Sequence, residues 1–336
     1  MSGFFDQLWV QNALLFLGFG LFAALIVSGS RNERWQRAGR YLRGDRTGMV
    51  SGAIIAIYLL VGALETLQFP YQNGTVSVIG WFFRNVPIES TYSAPLAATT
   101  LSTSDPQPLK GRHLLGTDAL GKDTFAQTIR ACRTALILGG FTSAIYIPLG
   151  TLLGILAGYY RRWVDDIIQY VYSVVASVPE ILLLVAIIIV LEKGLGTMSI
   201  ALGTTGWVGL CRLIRGETMR QSERPYVAAA RALGQSHWRI ITRHLLPNVM
   251  HLVLINFVLG FSGLVLAEAT LTYLGVGSPI GTASWGIMID GARSELSREP
   301  VVWWNLTAAT FALFGLVLSL NLFGDALRRA FDPKRG

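Results

Sequence analysis

Charge is scarce in this chain. Of its 336 residues 14% are charged, against 52% hydrophobic, and the mean hydropathy is +0.48. Water-soluble domains carry nearer a quarter charged residues, so a conventional soluble globule is excluded. Cysteine is scarcer still. Cys132 and Cys211 are the two present, neither within a CxxC pair, which excludes a disulfide framework. Acidic residues are outnumbered, 20 against 28 Lys and Arg, for a net charge of +8. A nucleic-acid binder would gather that excess into a dense patch on a polar chain. Here the basic residues fall between long apolar runs, as basic loops along one side of a bilayer do. The composition leaves an integral membrane protein.

A spanning helix needs about 20 mainly apolar residues. Seven runs qualify: 8–28, 49–69, 134–158, 168–191, 196–214, 251–267 and 302–323. The first is not a cleaved leader by its pattern. No Lys or Arg precedes it, its basic cluster comes after it, and no small-residue cleavage site is convincing. It reads as an extra N-terminal helix with a basic loop, over 1–48, ahead of a membrane domain over 49–336.

Orientation follows from Lys and Arg in the short loops. Arg31, Arg34, Arg37, Arg40, Arg43 and Arg46 come after the first run, opposed by Glu33 and Asp45. Arg161 and Arg162 come after the third. Arg212, Arg215, Arg220, Arg224, Arg231, Arg239 and Arg243 lie between the fifth and sixth, and Arg328, Arg329, Lys334 and Arg335 close the chain. These segments alternate, so all fit the cytoplasmic side, with the N-terminus outside and the C-terminus inside. The segment 70–133 then lies outside, rich in Ser, Thr and Pro near 92–108 and expected to be partly irregular. No internal repeat of fixed period is present.

Residues 116–123, Gly-Thr-Asp-Ala-Leu-Gly-Lys-Asp, nearly spell a phosphate-binding loop. That loop needs Ser or Thr after the lysine, to place a hydroxyl on Mg²⁺, and a strand before it. Asp123 stands there instead, where its carboxylate would face phosphate charge, and the predicted location is extracytoplasmic. The chain is therefore not expected to hydrolyse ATP.

Residues 226–248 are the most informative. Ala228 to Leu233 form helix readily, Gly234 interrupts, and Ser236 can cap a second helix. Trp238, Ile241 and Leu245 should share one face of that helix, with Arg239 and Arg243 on another. Pro247 should end it just before the sixth span. One reading is an amphipathic helix lying on the inner leaflet. The other is a docking element, its alanines allowing close approach of a cytoplasmic partner.

This stretch resembles the EAA loop of ABC importer permeases, the segment that docks on the ATPase subunit. Gly234 and Leu246-Pro247 keep that loop's spacing, while Ala228 stands where many relatives have Glu. His113 to Asp123 is similar to a motif ahead of the second core span in the dipeptide/oligopeptide/nickel permeases. Ala157-Gly158-Tyr159, the run from Glu268 to Gly275, Ser284-Trp285-Gly286, the run from Asn321 to Arg328 and Asp332-Pro333 match in the same order. Two departures stand out: the extra first helix, and Asn305-Leu306 where relatives often have Pro-Gly.

The resemblance implies an all-α polytopic fold: the six-helix core of a type I importer permease, of the C-type membrane subunit, plus one helix. It implies a B-type permease partner, two cytoplasmic ATPases and a periplasmic binding protein, around a bacterial inner membrane. ATP and Mg²⁺ would sit on the ATPases, leaving this chain non-catalytic and without cofactor. Cargo would be di- or oligopeptides, with nickel or another small solute as the alternative. The coupling loop would span about 215–248, with Tyr226, Ala228, Ala229, Arg231, Ala232, Gly234, Arg239 and Pro247 as its working residues.

An ion-driven secondary transporter is the rival from another class. It would need paired intramembrane charges across broken helices and inverted repeats. Glu180 beside Pro179, near the middle of the fourth run, is the one hint. Intramembrane acids usually face a cavity or a partner, so Pro179, Glu180 and Glu268 are candidates for the translocation path. For Glu268 and Asp325, at helix ends, structural anchoring is the stronger reading, and Glu65 in the second run is a fourth acid of this kind. His237, His244 and His251 recur every seventh residue, about 10.5 Å apart on a helix, too far for one metal ion.

Overall fold

The computed structural model describes residues 33–71, 74–101, 105–279 and 281–332. The expected first span at 8–28, Arg31, Lys334 and Arg335 lie outside them. The described chain is helical, apart from one two-stranded hairpin and a long irregular segment. Among the described residues four helices are long and apolar enough to cross a membrane, or five if one sharply bent pair counts as a span.

Helix α1 (Glu33–Gly44) leads into α2 (Arg46–Thr66) through Asp45, whose carboxylate accepts the Thr47 N–H at 3.2 Å and caps α2. The hairpin β1 (Gln68–Tyr71) and β2 (Gly74–Ser77), antiparallel with Phe69 opposite Val76, comes directly after. A short helix, α3 (Val78–Phe82), follows the hairpin. The described residues of 83–123 are irregular, in keeping with the segment's Ser, Thr and Pro content.

Helix α4 (Thr124–Tyr160) begins ten residues before the predicted boundary at 134. Asp123 caps it, its Oδ1 accepting the Ala126 N–H at 2.8 Å. Arg130 makes the first turns look too polar to belong, but its Nε donates to Glu65 Oε1 on α2 at 2.8 Å. At 1.5 Å per residue this helix is about 55 Å long, well beyond a hydrocarbon core of about 30 Å, so its ends project.

The predicted fourth span is not one rod. Helix α5 (Arg162–Ser177) and α6 (Glu180–Leu191) meet at an 86° bend. Pro179 supplies the break, because its ring clashes with the preceding turn and it has no N–H to donate. The fifth span is also divided. Helix α7 (Leu195–Thr205) and α8 (Trp207–Ser222) join through Gly206.

Both α7 and α8 lie along α4, and the α4–α8 seam is made by small residues. A Cβ on Gly150 would lie 2.9 Å from the Trp207 carbonyl oxygen. One on Gly154 would lie 2.8 Å from that of Cys211, and one on Gly158 2.6 Å from that of Arg215. Glycines four apart on α4 thus meet carbonyls four apart on α8. In a bilayer, where apolar burial drives helices together weakly, such close approach is a main source of packing energy.

The loop helices α9 (Pro225–Ala232) and α10 (His237–Ile240) lie beyond α8. Next come a π-helical turn (Ile241–Leu245), α11 (Leu246–Tyr273), α12 (Trp285–Glu295) and α13 (Trp304–Ala330). Pro247 does not end a helix, contrary to expectation: His237–Tyr273 is continuous. In the π turn the Leu246 N–H reaches back to the Ile241 carbonyl, and Asn248 Nδ2 donates to the His244 carbonyl at 2.6 Å. Pro247 has no N–H to donate, and the wider π turn before it gives its ring room that a regular α-turn would not.

Candidate functional site

The loop between α8 and α11 is built as a two-faced platform. Pro225 opens α9 at its first turn, where a missing N–H costs nothing. Val227 and Ala230, one turn apart, are buried in a cluster with Tyr159, Tyr172, Ile214, Ile240 and Leu245. Ala228, Ala229, Arg231 and Ala232 are exposed on the opposite side. The helix stops by backbone geometry. Gly234 takes φ +71°, the Gln235 N–H bonds the Ala230 carbonyl, and the Gly234 N–H bonds that of Arg231. This left-handed closure favours glycine, because a Cβ there crowds the following carbonyl.

Around Gly234 the surface is open: no atom lies within 4 Å of where its Cβ would be. Leu233 is 80% exposed and Trp238 65%. Trp238 therefore does not share the buried face of Ile241 and Leu245, contrary to the helical spacing. The π turn inserts one extra residue per turn, which rotates Trp238 away from the face that Ile241 and Leu245 bury. An apolar tip made of Leu233, Trp238 and the alanines results, edged by the exposed Arg239.

The platform is tied to three membrane helices. Tyr226 Oη donates to Gln221 Oε1 on α8 at 2.8 Å and lies 3.4 Å from Asn248 Nδ2 on α11. Tyr159, at the end of α4, shares a hydrogen bond with His237 Nδ1 at 2.8 Å. Arg231, expected to point at a partner, lies over the Tyr159 ring, 5.0 Å from its centroid. Alongside, Arg215 Nη2 on α8 donates to Asp165 Oδ2 on α5 at 2.7 Å, with Nε on the other oxygen. Force applied to α9 therefore reaches α4, α8 and α11 through short contacts.

The other candidates scatter. Pro179 is exposed at the bend, and Glu180 is the exposed first residue of α6, not the middle of a rod. Glu268 is buried, and its Oε1 accepts from the hydroxyls of Thr272 (3.0 Å), Ser278 (2.7 Å) and Ser284 (2.6 Å). Ser284 also caps α12, so this carboxylate holds the C-terminal end of α11 to the N-terminal end of α12. Asp325 is exposed. Among the described residues no three His, Cys, Asp or Glu side chains are grouped to hold a metal.

Ahead of α4, residues 116–123 form a closed turn. Asp118 Oδ1 accepts the N–H groups of Leu120 and Lys122, both at 2.9 Å, and Asp123 caps α4. The amides that a phosphate would need are already taken, those of Leu120 and Lys122 by the Asp118 carboxylate and those of Thr117, Asp118 and Gly121 by backbone carbonyls.

Asn305 looks in the sequence like a local departure, yet it is a junction. Its Oδ1 accepts from Thr124 Oγ1 at 2.5 Å and its Nδ2 donates to Glu295 Oε1 at 2.8 Å, all buried. Burial raises the Glu295 carboxyl above its ordinary range, and the Asn305 bond partly counters this. Asn305→Ala leaves Thr124 and Glu295 without that partner, which should cost about 2–3 kcal/mol. A lowered midpoint of thermal unfolding in detergent checks it, and an unchanged midpoint would show that the junction carries no load.

Residues 150–336, from the α4 glycine seam to the C-terminus, match the family described as binding-protein-dependent transport system inner membrane component. The chain belongs to this family. It is similar to the dipeptide transport system permease protein DppC of Bacillus subtilis, 34% identical over 228 residues, or 68% of this chain and 70% of that protein. The oligopeptide transport system permease protein OppC of the same organism is 29% identical over 300 residues, covering 89% and 90%. The glutathione transport system permease protein GsiD of Pectobacterium atrosepticum is 34% identical over 222 residues, covering 66% and 73%. An all-helical membrane permease is thus the established class of this inner membrane component, and the platform of α9 and α10 lies within the matched residues.

Proposed function

We propose that this inner membrane component is the C-type subunit of an ATP-driven importer of di- or oligopeptides. The observation that carries this is the platform itself: a glycine-closed helix pair with an exposed apolar tip, bonded underneath to the ends of α4, α8 and α11. The names of the relatives, dipeptide, oligopeptide and glutathione permeases, support the cargo class.

In this reading the tip of Leu233 and Trp238 seats in a groove on a cytoplasmic ATPase. A homologous B-type permease covers the exposed apolar side of α5 and α6, and a periplasmic binding protein delivers cargo from outside. Neither ATP nor Mg²⁺ is bound by this chain. ATP favours the conformation in which the two ATPases close, and a ligand shifts such an equilibrium by its preference for one state. Closure moves the platform, and the bonds from Tyr226 and Tyr159 carry that movement into the bundle. Helix α1 and residues 212–243 then lie in the cytoplasm and segment 68–123 in the periplasm, with Glu180 at the bend placed toward the path between the permeases.

The test is uptake of labelled dipeptides and longer peptides in cells with and without this chain, in parallel with topology reporters. Uptake should vanish on deletion. A reporter after Arg46 should read cytoplasmic and one near position 102 periplasmic. Unchanged uptake of every peptide length would overturn the cargo class, and reporters on one common side would overturn the orientation.

A further inference from the structure

Helix α1 sits where it can do more than lead into α2. Ala38 is buried, Trp35 meets the Phe331 ring edge-on at 5.2 Å, and Leu42 packs against the same cluster, so one side is fastened to the end of α13. The other side carries Arg37, Arg40 and Arg43, three residues apart and all exposed, continued by Arg46 at the start of α2. The nearest acid, Asp45, is already taken: Arg329 Nη2 donates to it at 2.9 Å, holding its carboxyl below the usual range. Arg40, Arg43 and Arg46 have no carboxylate within ion-pair distance among the described residues.

The first turn of α2 fixes the depth of this row. Met49 and Val50, 53% and 61% exposed, lie within one turn or so of Arg46 and begin the apolar surface of a spanning helix. Acyl chains therefore start there, and Arg43 and Arg46 stand at the level of the headgroups. Arg40 lies about 5 Å farther along the helix, still inside a Debye length of about 8 Å. Guanidinium groups suit this position because their planar fork pairs two donors with phosphate oxygens.

We propose that Arg40, Arg43 and Arg46 form a binding site for the phosphate of an anionic phospholipid. On the orientation proposed above, the lipid belongs to the inner leaflet. Fastening α1 to a headgroup would hold the end of α13 through Trp35–Phe331 and Asp45–Arg329, steadying the side of the bundle away from the platform.

The experiment uses the full chain in nanodiscs of mixed phosphatidylglycerol and phosphatidylcholine. Lipid retained on the released protein is identified by native mass spectrometry. Each arginine near a surface contributes about fivefold, so R40Q/R43Q/R46Q should lower phosphatidylglycerol retention by up to about 100-fold. R40K/R43K/R46K keeps the charge and should retain most of it, and added salt should weaken both it and the wild type. No lipid preference in the wild type, full retention in the glutamine variant, or equal loss in both variants would overturn the site. So would unchanged retention together with lost ATPase co-purification, which would assign the row to the partner protein. Nanodiscs expose both leaflets, so the result does not depend on orientation, cargo or ATPases. Failure here leaves the proposed function standing, and failure of the topology reporters leaves the lipid site standing.

Discussion

Gly154→Leu should prevent this protein from accumulating in a folded state. A Cβ at that position would lie 2.8 Å from both the Cys211 carbonyl oxygen and Ile214 Cβ. Backbone cannot rotate aside as a side chain can, so α4 and α8 would have to separate along the whole Gly150–Gly154–Gly158 seam. Overpacking of this kind costs about 3 kcal/mol even where neighbours can shift, and several helix contacts would be lost together. The measurements are the level of membrane-inserted protein and its midpoint of thermal unfolding in detergent. Gly140→Leu is the control, since no atom lies within 4 Å of a Cβ there. Equal midpoints for the two variants would show that the seam is not a principal source of stability.

Gly234→Leu should spare insertion and folding while lowering peptide uptake at least tenfold. The loop lies outside the bilayer in the proposed topology, and nothing in the described chain obstructs a side chain there. What changes is conformation and clearance. A non-glycine residue at φ +71° is strained by about 1–2 kcal/mol, and a leucine would stand beside Leu233 on the apolar tip. Gly234→Asn separates the two effects, because asparagine tolerates this conformation far better. With uptake and co-purification of the ATPases read in the same cells, the asparagine variant should keep most coupling and the leucine variant should lose it. Normal docking and normal uptake in Gly234→Leu would reduce the platform to an interfacial helix.

Much of the membrane plan was legible because hydrophobic transfer is a local property. Each run from 49 onward is largely helical in the structure, and the spacing from Gly234 to Pro247 located the loop. Helix starts were less legible. Arg130 disguised the first turns of α4, and its partner Glu65 lies 65 positions away. The repeat Gly150, Gly154, Gly158 is a close-packing signal that the sequence does carry. Nothing in the sequence pairs it with Trp207, Cys211 and Arg215. Asn305 looks like a local substitution because the groups it joins, Thr124 and Glu295, belong to different helices.

The sequence by itself determined the class of molecule: apolar runs that must leave water, basic loops between them, and ordered motifs that mark an importer permease. Tertiary structure decided the rest. The 86° bend at Pro179 takes its angle from the helices around it, since proline dictates a break but not a direction. Pro247 lies inside a continuous helix because the wider π turn before it accommodates the ring, and that same turn sends Trp238 outward instead of into the core. Periodicity assumes a constant number of residues per turn. Where packing changes that number, the face a residue occupies is set by its neighbours in space.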